Sequence, residues 1–189
     1  MLPMMVDVST TPIIVVGDGL AAAQRLTTLR AAGAGNVTTF AAEPEADVVV
    51  LAKDQLVRRL PIEEDFKSLN PRVVYICDIP EPEMRDAVAW AHSVGALVNA
   101  HDRQDLCDFH MPAILRRGDL QITVSTDGKV AGLSRLLRDY LRDRVIGAEW
   151  AERVSELGQK RTNWVAQKLP FEDLRDRVNA YVRERGWLD

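Results

Sequence analysis

The chain has 189 residues, 47% of them hydrophobic and 28% charged, which is typical of one large globular domain or of a domain with an appendage. Its net charge of −4 argues against general nucleic-acid binding, which requires a positively charged surface. Two cysteines, Cys77 and Cys107, are too few for a disulfide framework, and no Cys or His pair has the spacing of zinc ligands.

The N-terminal segment and the hydropathy of the chain also bear on its location. Residues 1–12 lack the basic start and the apolar core of a signal peptide, and no apolar run approaches the length of about 20 residues that spans a membrane. We therefore expect a cytoplasmic protein with no membrane partner and no resident metal.

The N-terminal part of the chain begins with a predicted strand, turn and helix. Residues 13–16 are a β-branched strand, Gly17-Asp18-Gly19 is a turn, and an Ala- and Leu-rich helix extends to about residue 32. A second strand is predicted within residues 36–41. Residues 47–52 are either a third strand or the buried face of a helix, and their periodicity does not separate the two.

The alternation of strands and helices continues to about residue 100. Residues 72–77 predict a central strand, residues 83–94 a helix with one apolar stripe, and residues 96–99 a further strand. Strands that alternate with helices indicate an α/β fold with a doubly wound parallel sheet and right-handed crossovers.

The pattern changes after residue 102. Residues 120–125 alternate like a half-exposed strand, and residues 133–144 form a charged amphipathic helix. Two more helices, broken at Leu169-Pro170, are predicted from residue 149 onward. The last forty residues or so are too few to enclose a core, so we expect them to pack on another part of the chain, a partner or a ligand. Their predicted buried faces consist of Trp150, Val154, Leu157, Trp164, Leu174, Val178 and Tyr181.

The glycine turn at residues 17–22 matches the fingerprint G-x-G-x-x-G/A of dinucleotide-binding folds. In that motif a strand, a tight turn and a helix N-terminus present backbone amides to a pyrophosphate. The candidate cofactor-binding residues are therefore Gly17, Asp18, Gly19, Leu20, Ala21 and Ala22, with Glu43 as a candidate ligand of the ribose. Asp18 would repel a phosphate unless its side chain points away. The alternative is a glycine-rich turn that binds nothing.

Four further motifs follow in a specific order. They are V-N-A-H-D at residues 98–102, L-C-D-F-H-M-P-A at residues 106–113, R-R-G-D-L at residues 116–120 and S-T-D-G-K at residues 125–129. Together with the glycine turn they resemble the siroheme synthase N-terminal family, the precorrin-2 dehydrogenases, of which some are also sirohydrochlorin ferrochelatases. The resemblance covers most of residues 12–145, and Asp18 stands where the family usually has a glycine.

This resemblance implies an architecture and an activity. It implies a Rossmann-like NAD-binding domain at residues 1–110, a dimerisation region at residues 111–147 and a small helical C-terminal domain at residues 148–189. The implied activity is the NAD-dependent oxidation of precorrin-2 to sirohydrochlorin in siroheme biosynthesis, carried out by a homodimer. Family members with and without ferrochelatase activity share these motifs, so the sequence leaves that activity open.

The resemblance also implies roles for individual residues. Asp102 matches the catalytic aspartate of the family and would accept a proton, although Asp is also common in turns after strands. Because the substrate carries several carboxylates, basic and hydroxyl side chains are candidate contacts, with ordinary surface and turn positions as the alternative. The candidate substrate-binding residues are Asn99, Arg116, Arg117, Ser125, Thr126 and Lys129. His101 and His110 either handle iron or are ordinary surface and packed residues.

Two other functions are compatible with parts of the sequence. A non-catalytic protein that binds a tetrapyrrole or a nucleotide on the same scaffold would explain Asp18 and the short segment between residues 42 and 72. A generic Rossmann dehydrogenase for a small substrate would explain the glycine turn, but not the order of the motifs after residue 97.

Overall fold

A computed structural model describes residues 2–188 of the chain. The chain divides into two compact units, the first ending at His110 and the second beginning at Met111. No helix within the described range is both long and apolar enough to cross a membrane.

The first unit is built on a five-stranded parallel sheet, which confirms the predicted fold class. Its strands are β1 (Ile13–Val16), β2 (Val37–Phe40), β3 (Leu56–Val57), β4 (Val73–Ile76) and β5 (Leu97–Ala100). They lie in the order β3-β2-β1-β4-β5, so the direction of winding reverses between β1 and β4. In open α/β sheets, ligands bind in the crevice at the carboxyl ends of the strands at such a switch point.

Four helices cover this sheet, namely α1 (Leu20–Ala31), α2 (Ala46–Ala52), α3 (Glu63–Leu69) and α4 (Glu81–Ser93). The predicted stripe of α4 is confirmed, since Met84, Ala87, Val88 and Ala91 are all buried. Both β1 and β4 are buried along their full length, as expected for central strands covered on both faces.

The structure resolves the alternative at residues 47–52 in favour of a helix. Val48 and Ala52 are buried four residues apart, whereas Val50 between them is 70% exposed, which is a helical and not a strand pattern. The two-residue strand β3 and the short helix α3 were not predicted. Both are too short to show a periodicity that a sequence pattern can detect.

The second unit contains a hairpin followed by helices. Strands β6 (Ala113–Arg117) and β7 (Leu120–Val124) pair antiparallel, and helices α5 (Ala131–Arg144), α6 (Trp150–Ala166) and α7 (Phe171–Glu184) follow. β7 was predicted, whereas β6 was not recognised as a strand. Gly118 in the connecting turn has a φ of +55°, a conformation that favours glycine.

The last two helices of the second unit bury little of their surface. None of the residues of α6 or α7 is fully buried, and the seven side chains of their predicted buried faces are half-buried. Aromatic side chains hold this region together, because Tyr181 packs edge-on against both Trp164 and Trp187. The shallow burial agrees with the expectation that this segment is too small to enclose a core.

Candidate functional site

The glycine loop, residues 17–22, connects β1 to α1 at the switch point of the sheet. Gly17 has a φ of +147°, and a Cβ atom at this position would lie 2.2 Å from the carbonyl oxygen of Cys77. This close approach arises because β1 and β4 pair in register and Cys77 follows β4. The first glycine of the fingerprint is therefore required by the packing of the loop against the end of β4.

A carboxylate lies on the N-terminus of α1, where the fingerprint predicts a phosphate. Asp78 Oδ2 accepts hydrogen bonds from the amides of Ala21 and Ala22, at 2.9 and 3.2 Å. A Cβ atom on Gly19 would lie 3.1 Å from the same oxygen. The side chain of Asp78 thus takes the position and the amide donors that a dinucleotide phosphate would use.

Asp18 does not lie on those amides. Its Oδ1 accepts a hydrogen bond from the amide of Glu43 at 3.0 Å, and its carbonyl oxygen accepts one from Glu45 at 2.8 Å. Asp18 therefore connects the glycine loop to the segment that follows β2. This brings Glu43, the candidate ribose ligand, beside the loop through its backbone, while the residue itself is exposed.

These residues suit a dinucleotide phosphate in one respect that the structure shows directly. The glycine loop already binds an oxyanion, the Asp78 carboxylate, through two backbone amides at the positive end of a helix dipole. A phosphate has the same hydrogen-bonding requirements, so the loop fits that group in the place of the carboxylate.

Asp102 lies at the same edge of the sheet, two residues beyond the end of β5. Its side chain is 89% exposed, and its φ of +58° places it in the left-handed region that Asp tolerates in turns. His101 Nε2 is 3.7 Å from Asp102 Oδ1. The carboxylate therefore faces solvent, where a bound molecule could reach it.

The turn that carries Asp102 is fastened by Cys107. The sulfur of Cys107 lies 3.2 Å from the amide nitrogen of Ala100 and 3.1 Å from its carbonyl oxygen. Burial raises the pKa of the Cys107 thiol, which favours the neutral thiol at these contacts. The thiol thus holds the segment after the turn against the last residue of β5.

Two neighbouring residues complete this packing. The Nδ2 of Asn99, whose side chain is buried, donates to the carbonyl of Phe109 at 2.9 Å. Asp108 Oδ2 accepts hydrogen bonds from the amide of Val98 at 2.8 Å and lies 2.9 Å from His92 Nε2. The structure therefore places Asn99, a candidate substrate ligand, inside the loop packing.

The remaining candidates lie in the second unit and are largely engaged in its own fold. Arg117 Nε is 3.2 Å from the carbonyl oxygens of both Ile146 and Gly147, just after α5. The amide of Asp127 donates to Ser125 Oγ, as in a turn. Thr126 Oγ1 accepts a hydrogen bond from the amide of Val130, Lys129 is exposed and Arg116 is half-buried.

Three residues that shape this site, Asp78, Cys107 and Asp108, were assigned no role from the sequence, although the last two lie in the motif at residues 106–113. The available signal for Asp78 was its position directly after a buried strand, because acids there reach the carboxyl edge of a parallel sheet. His101 and His110 are half-buried. Across the part of the chain that the structure describes, no three His, Cys, Asp or Glu side chains group to hold a metal ion.

A parallel sheet with a switch point, a glycine loop and oxyanion-binding amides at the start of α1 define the Rossmann-like class of dinucleotide-binding folds. The comparison with known proteins agrees with this class. Residues 4–113 match the family model whose description is "Putative NAD(P)-binding". The chain belongs to this NAD(P)-binding family, and its expected membership of the siroheme synthase N-terminal family is confirmed.

The similar proteins include siroheme synthases from two bacteria. The chain is 38% identical over 139 residues to that of Methylococcus capsulatus and 32% identical over 142 residues to one from Neisseria meningitidis serogroup C. The matches cover 72% and 74% of this chain respectively, and 29% of each relative. The chain thus matches less than a third of the length of these relatives.

A solved structure supports the fold over the whole chain. The structure of SirC, a precorrin-2 dehydrogenase, matches with a TM-score of 0.79 at 20% sequence identity. The match covers 100% of this chain and 93% of the SirC chain. At this identity the likeness establishes a shared fold.

Proposed function

We propose that this chain catalyses the NAD-dependent oxidation of precorrin-2 to sirohydrochlorin. The observation that carries the proposal is that the glycine loop and Asp102 share one edge of the sheet. The loop follows β1 and Asp102 follows β5, with only β4 between them. Two strand spacings correspond to roughly 10 Å, a distance that a bound dinucleotide can bridge.

The proposed roles follow from this arrangement. Bound NAD supplies the hydride acceptor, and the backbone of residues 17–22 holds its phosphates, with Glu43 beside the ribose. The substrate loses a hydride and a proton, and the exposed carboxylate of Asp102 accepts the proton. The turn contacts of Cys107 keep that carboxylate at the sheet edge.

The proposed contacts to the substrate are basic and hydroxyl side chains. Arg116 and Lys129 offer positive charges to the carboxylates of precorrin-2, and Ser125 and Thr126 offer hydroxyl groups. Arg117 adds charge, although its Nε is committed to carbonyl oxygens after α5. The role of Asn99 in this proposal is indirect, because its buried amide supports the loop at Phe109.

The direct test is NADH formation from NAD and precorrin-2 by the purified chain. We expect turnover by the native protein and a loss of about 10²-fold or more in kcat for Asp102→Asn, with an unchanged affinity for NAD. Asp105→Asn is the matched control, since Asp105 is an exposed acid of the same segment that pairs with Arg103. Absence of turnover in the native protein, or full activity in Asp102→Asn, would contradict the proposal.

A second candidate function is that of a non-catalytic tetrapyrrole- or nucleotide-binding protein. The carboxylate of Asp78 on the amides of α1 favours it, because those donors are satisfied without a cofactor. Thermal unfolding with and without NAD separates the two candidates. An unchanged midpoint, together with no NADH formation, would select the binding protein.

We further propose a homodimer and a cytoplasmic location, the latter from the low cysteine content. Ferrochelation stays a prediction, and adding ferrous iron and sirohydrochlorin to the same protein tests it.

Helix α5 supports the proposed homodimer, because it exposes four large side chains, Leu133, Leu136, Leu137 and Tyr140, at 43–69% of their surface.

A further inference from the structure

The amides at the start of α1 are occupied by a side chain from a distant part of the chain. Asp78 Oδ2 accepts from Ala21 and Ala22, which lie 57 and 56 residues earlier. An amide carries a single hydrogen, so a carboxylate and a phosphate cannot both be bound by the same two donors at full strength. Occupancy by Asp78 and occupancy by a cofactor phosphate therefore compete.

The position of Asp78 results from the pairing of β1 and β4. Val16 and Ile76 are partners in the register, and the amide of Cys77 donates to the carbonyl of Val16 at 2.8 Å. Asp78 is the next residue, and its φ of +51° turns the chain so that its side chain reaches the glycine loop. A side chain at position 19 would crowd the same carboxylate. The glycine at this position therefore leaves room for the Asp78 side chain.

Nothing in the surroundings locks this carboxylate in place. Asp78 is an exposed residue, and no Lys or Arg within residues 2–188 forms an ion pair with it. Its bonds to the loop are the two to backbone amides, which a ligand phosphate can replace one for one. Asp18, by contrast, accepts a hydrogen bond from the amide of Glu43, which lies outside α1.

We propose that Asp78 is an internal competitor for the dinucleotide phosphate and sets the affinity of the chain for its cofactor. The carboxylate must leave the amides of Ala21 and Ala22 when the cofactor binds. This inference rests on the proposed function for the identity of the ligand. The exchange lowers the affinity for NAD, since breaking the internal bonds opposes binding, and the displaced carboxylate stays near a phosphate of like charge.

Calorimetric titration of the full chain with NAD tests this proposal. We expect Asp78→Ala to bind NAD about tenfold more tightly than the native chain, because this variant lacks the carboxylate that competes for the amides of Ala21 and Ala22. Asp78→Asn keeps a side chain suited to the left-handed turn and is expected to lie between the two. Dispersed amide spectra of each variant establish that it is folded.

Asp18→Ala is the matched control because it removes the other carboxylate near the glycine loop and leaves the α1 amides bonded to Asp78. A gain in affinity for Asp18→Ala as large as that for Asp78→Ala would overturn the proposal, since general charge repulsion would then suffice. Unchanged or weaker binding of NAD by both Asp78 variants would also overturn it.

A second probe separates this inference from the proposed function. Inorganic pyrophosphate is titrated while the amide resonances of Ala21 and Ala22 are followed, and we expect saturation at lower concentration in Asp78→Ala than in the native chain. If no variant binds NAD, the cofactor assignment fails. The pyrophosphate titration alone then shows whether Asp78 competes with a phosphate for the amides of Ala21 and Ala22. If the native chain oxidises precorrin-2 but removal of Asp78 changes neither titration, the proposed function stands and this inference is wrong.

Discussion

Gly17 shows how strongly a single residue is constrained at the switch point of the sheet. The Cβ atom of any other residue would overlap the carbonyl of Cys77, and its φ of +147° is one that L-residues rarely adopt. Backbone atoms at the end of a central strand cannot move aside without disturbing the pairing of β1 and β4. The constraint is therefore structural, whether or not a cofactor is bound.

We expect Gly17→Ala to lower the free energy of unfolding by roughly 2–4 kcal/mol, the combined effect of overlap and an unfavourable φ. Gly33→Ala is the control, because Gly33 also has a positive φ but has open space around its Cβ direction. That control is expected to cost only about 1–2 kcal/mol. Urea unfolding measures both values, and equal losses would show that the contact with Cys77 is unimportant.

The sequence alone did not show which backbone amides the carboxylates of the two acids near the glycine loop contact. Asp18 lies inside the fingerprint, so the sequence directed attention to it, yet its side chain bonds to Glu43. Asp78 lies far along the chain and reaches the amides of α1. The direction of a side chain in a loop depends on which backbone donors are near it, and those donors are supplied by tertiary packing.

At the scale of an element, α3 illustrates how a short helix is secured. Its first residue is preceded by Ile62, whose side chain has no hydrogen-bonding atom to cap the helix. Asp65 compensates, because its Oδ2 accepts from the amide of Ile62 at 2.7 Å while its carboxylate forms a two-point ion pair with Arg59. A seven-residue helix whose cap involves Arg59, six residues before Asp65 and outside the helix, leaves no periodic signal, which explains why α3 was not predicted.

This cap makes the stability of the first unit sensitive to acid. The hydrogen bonds from Arg59 hold the pKa of Asp65 below its ordinary value of 3.8, so the folded state favours the ionised form. The stabilisation is thus fully present above that value and is lost as the pH falls through the lower pKa of the folded state. We expect Asp65→Asn to reduce the free energy of unfolding by about 1 kcal/mol at neutral pH.

The difference between the native chain and Asp65→Asn should shrink as the pH falls below about 4. Glu64→Gln, which alters an exposed acid in the same turn, should follow the native pH profile. Denaturant unfolding at a series of pH values measures these differences. A gap that stays constant down to low pH would show that the ionised carboxylate of Asp65 does not stabilise α3.

At the scale of the whole molecule, the two units differ in how completely they bury their side chains. The first has a continuous core on which Phe40, Phe66 and the central strands pack. In the second, α6 and α7 have no fully buried residue and α5 has only Ser134. The exposed leucines on α5 support the proposal that this helix contacts a second copy of the chain.

We expect the native chain to be a dimer in light scattering coupled to size exclusion, and Leu136→Glu to raise its dissociation constant by about thirtyfold, or ~2 kcal/mol. Leu136 is 69% exposed, so the substitution should not disturb the fold of one copy. Val165→Glu is the control, since Val165 is an exposed apolar residue on α6. A monomeric native chain, or equal dissociation by both variants, would contradict an α5 interface.

The sequence by itself determined the parallel sheet, the helix stripe of α4 and the family, because these depend on local periodicity and on motifs of short span. It also located the glycine loop and Asp102 at the ends of strands. Only the tertiary structure decided which carboxylate lies on the start of α1. That contact joins residues 57 positions apart and exists only because β1 and β4, distant in the chain, are neighbours in the sheet.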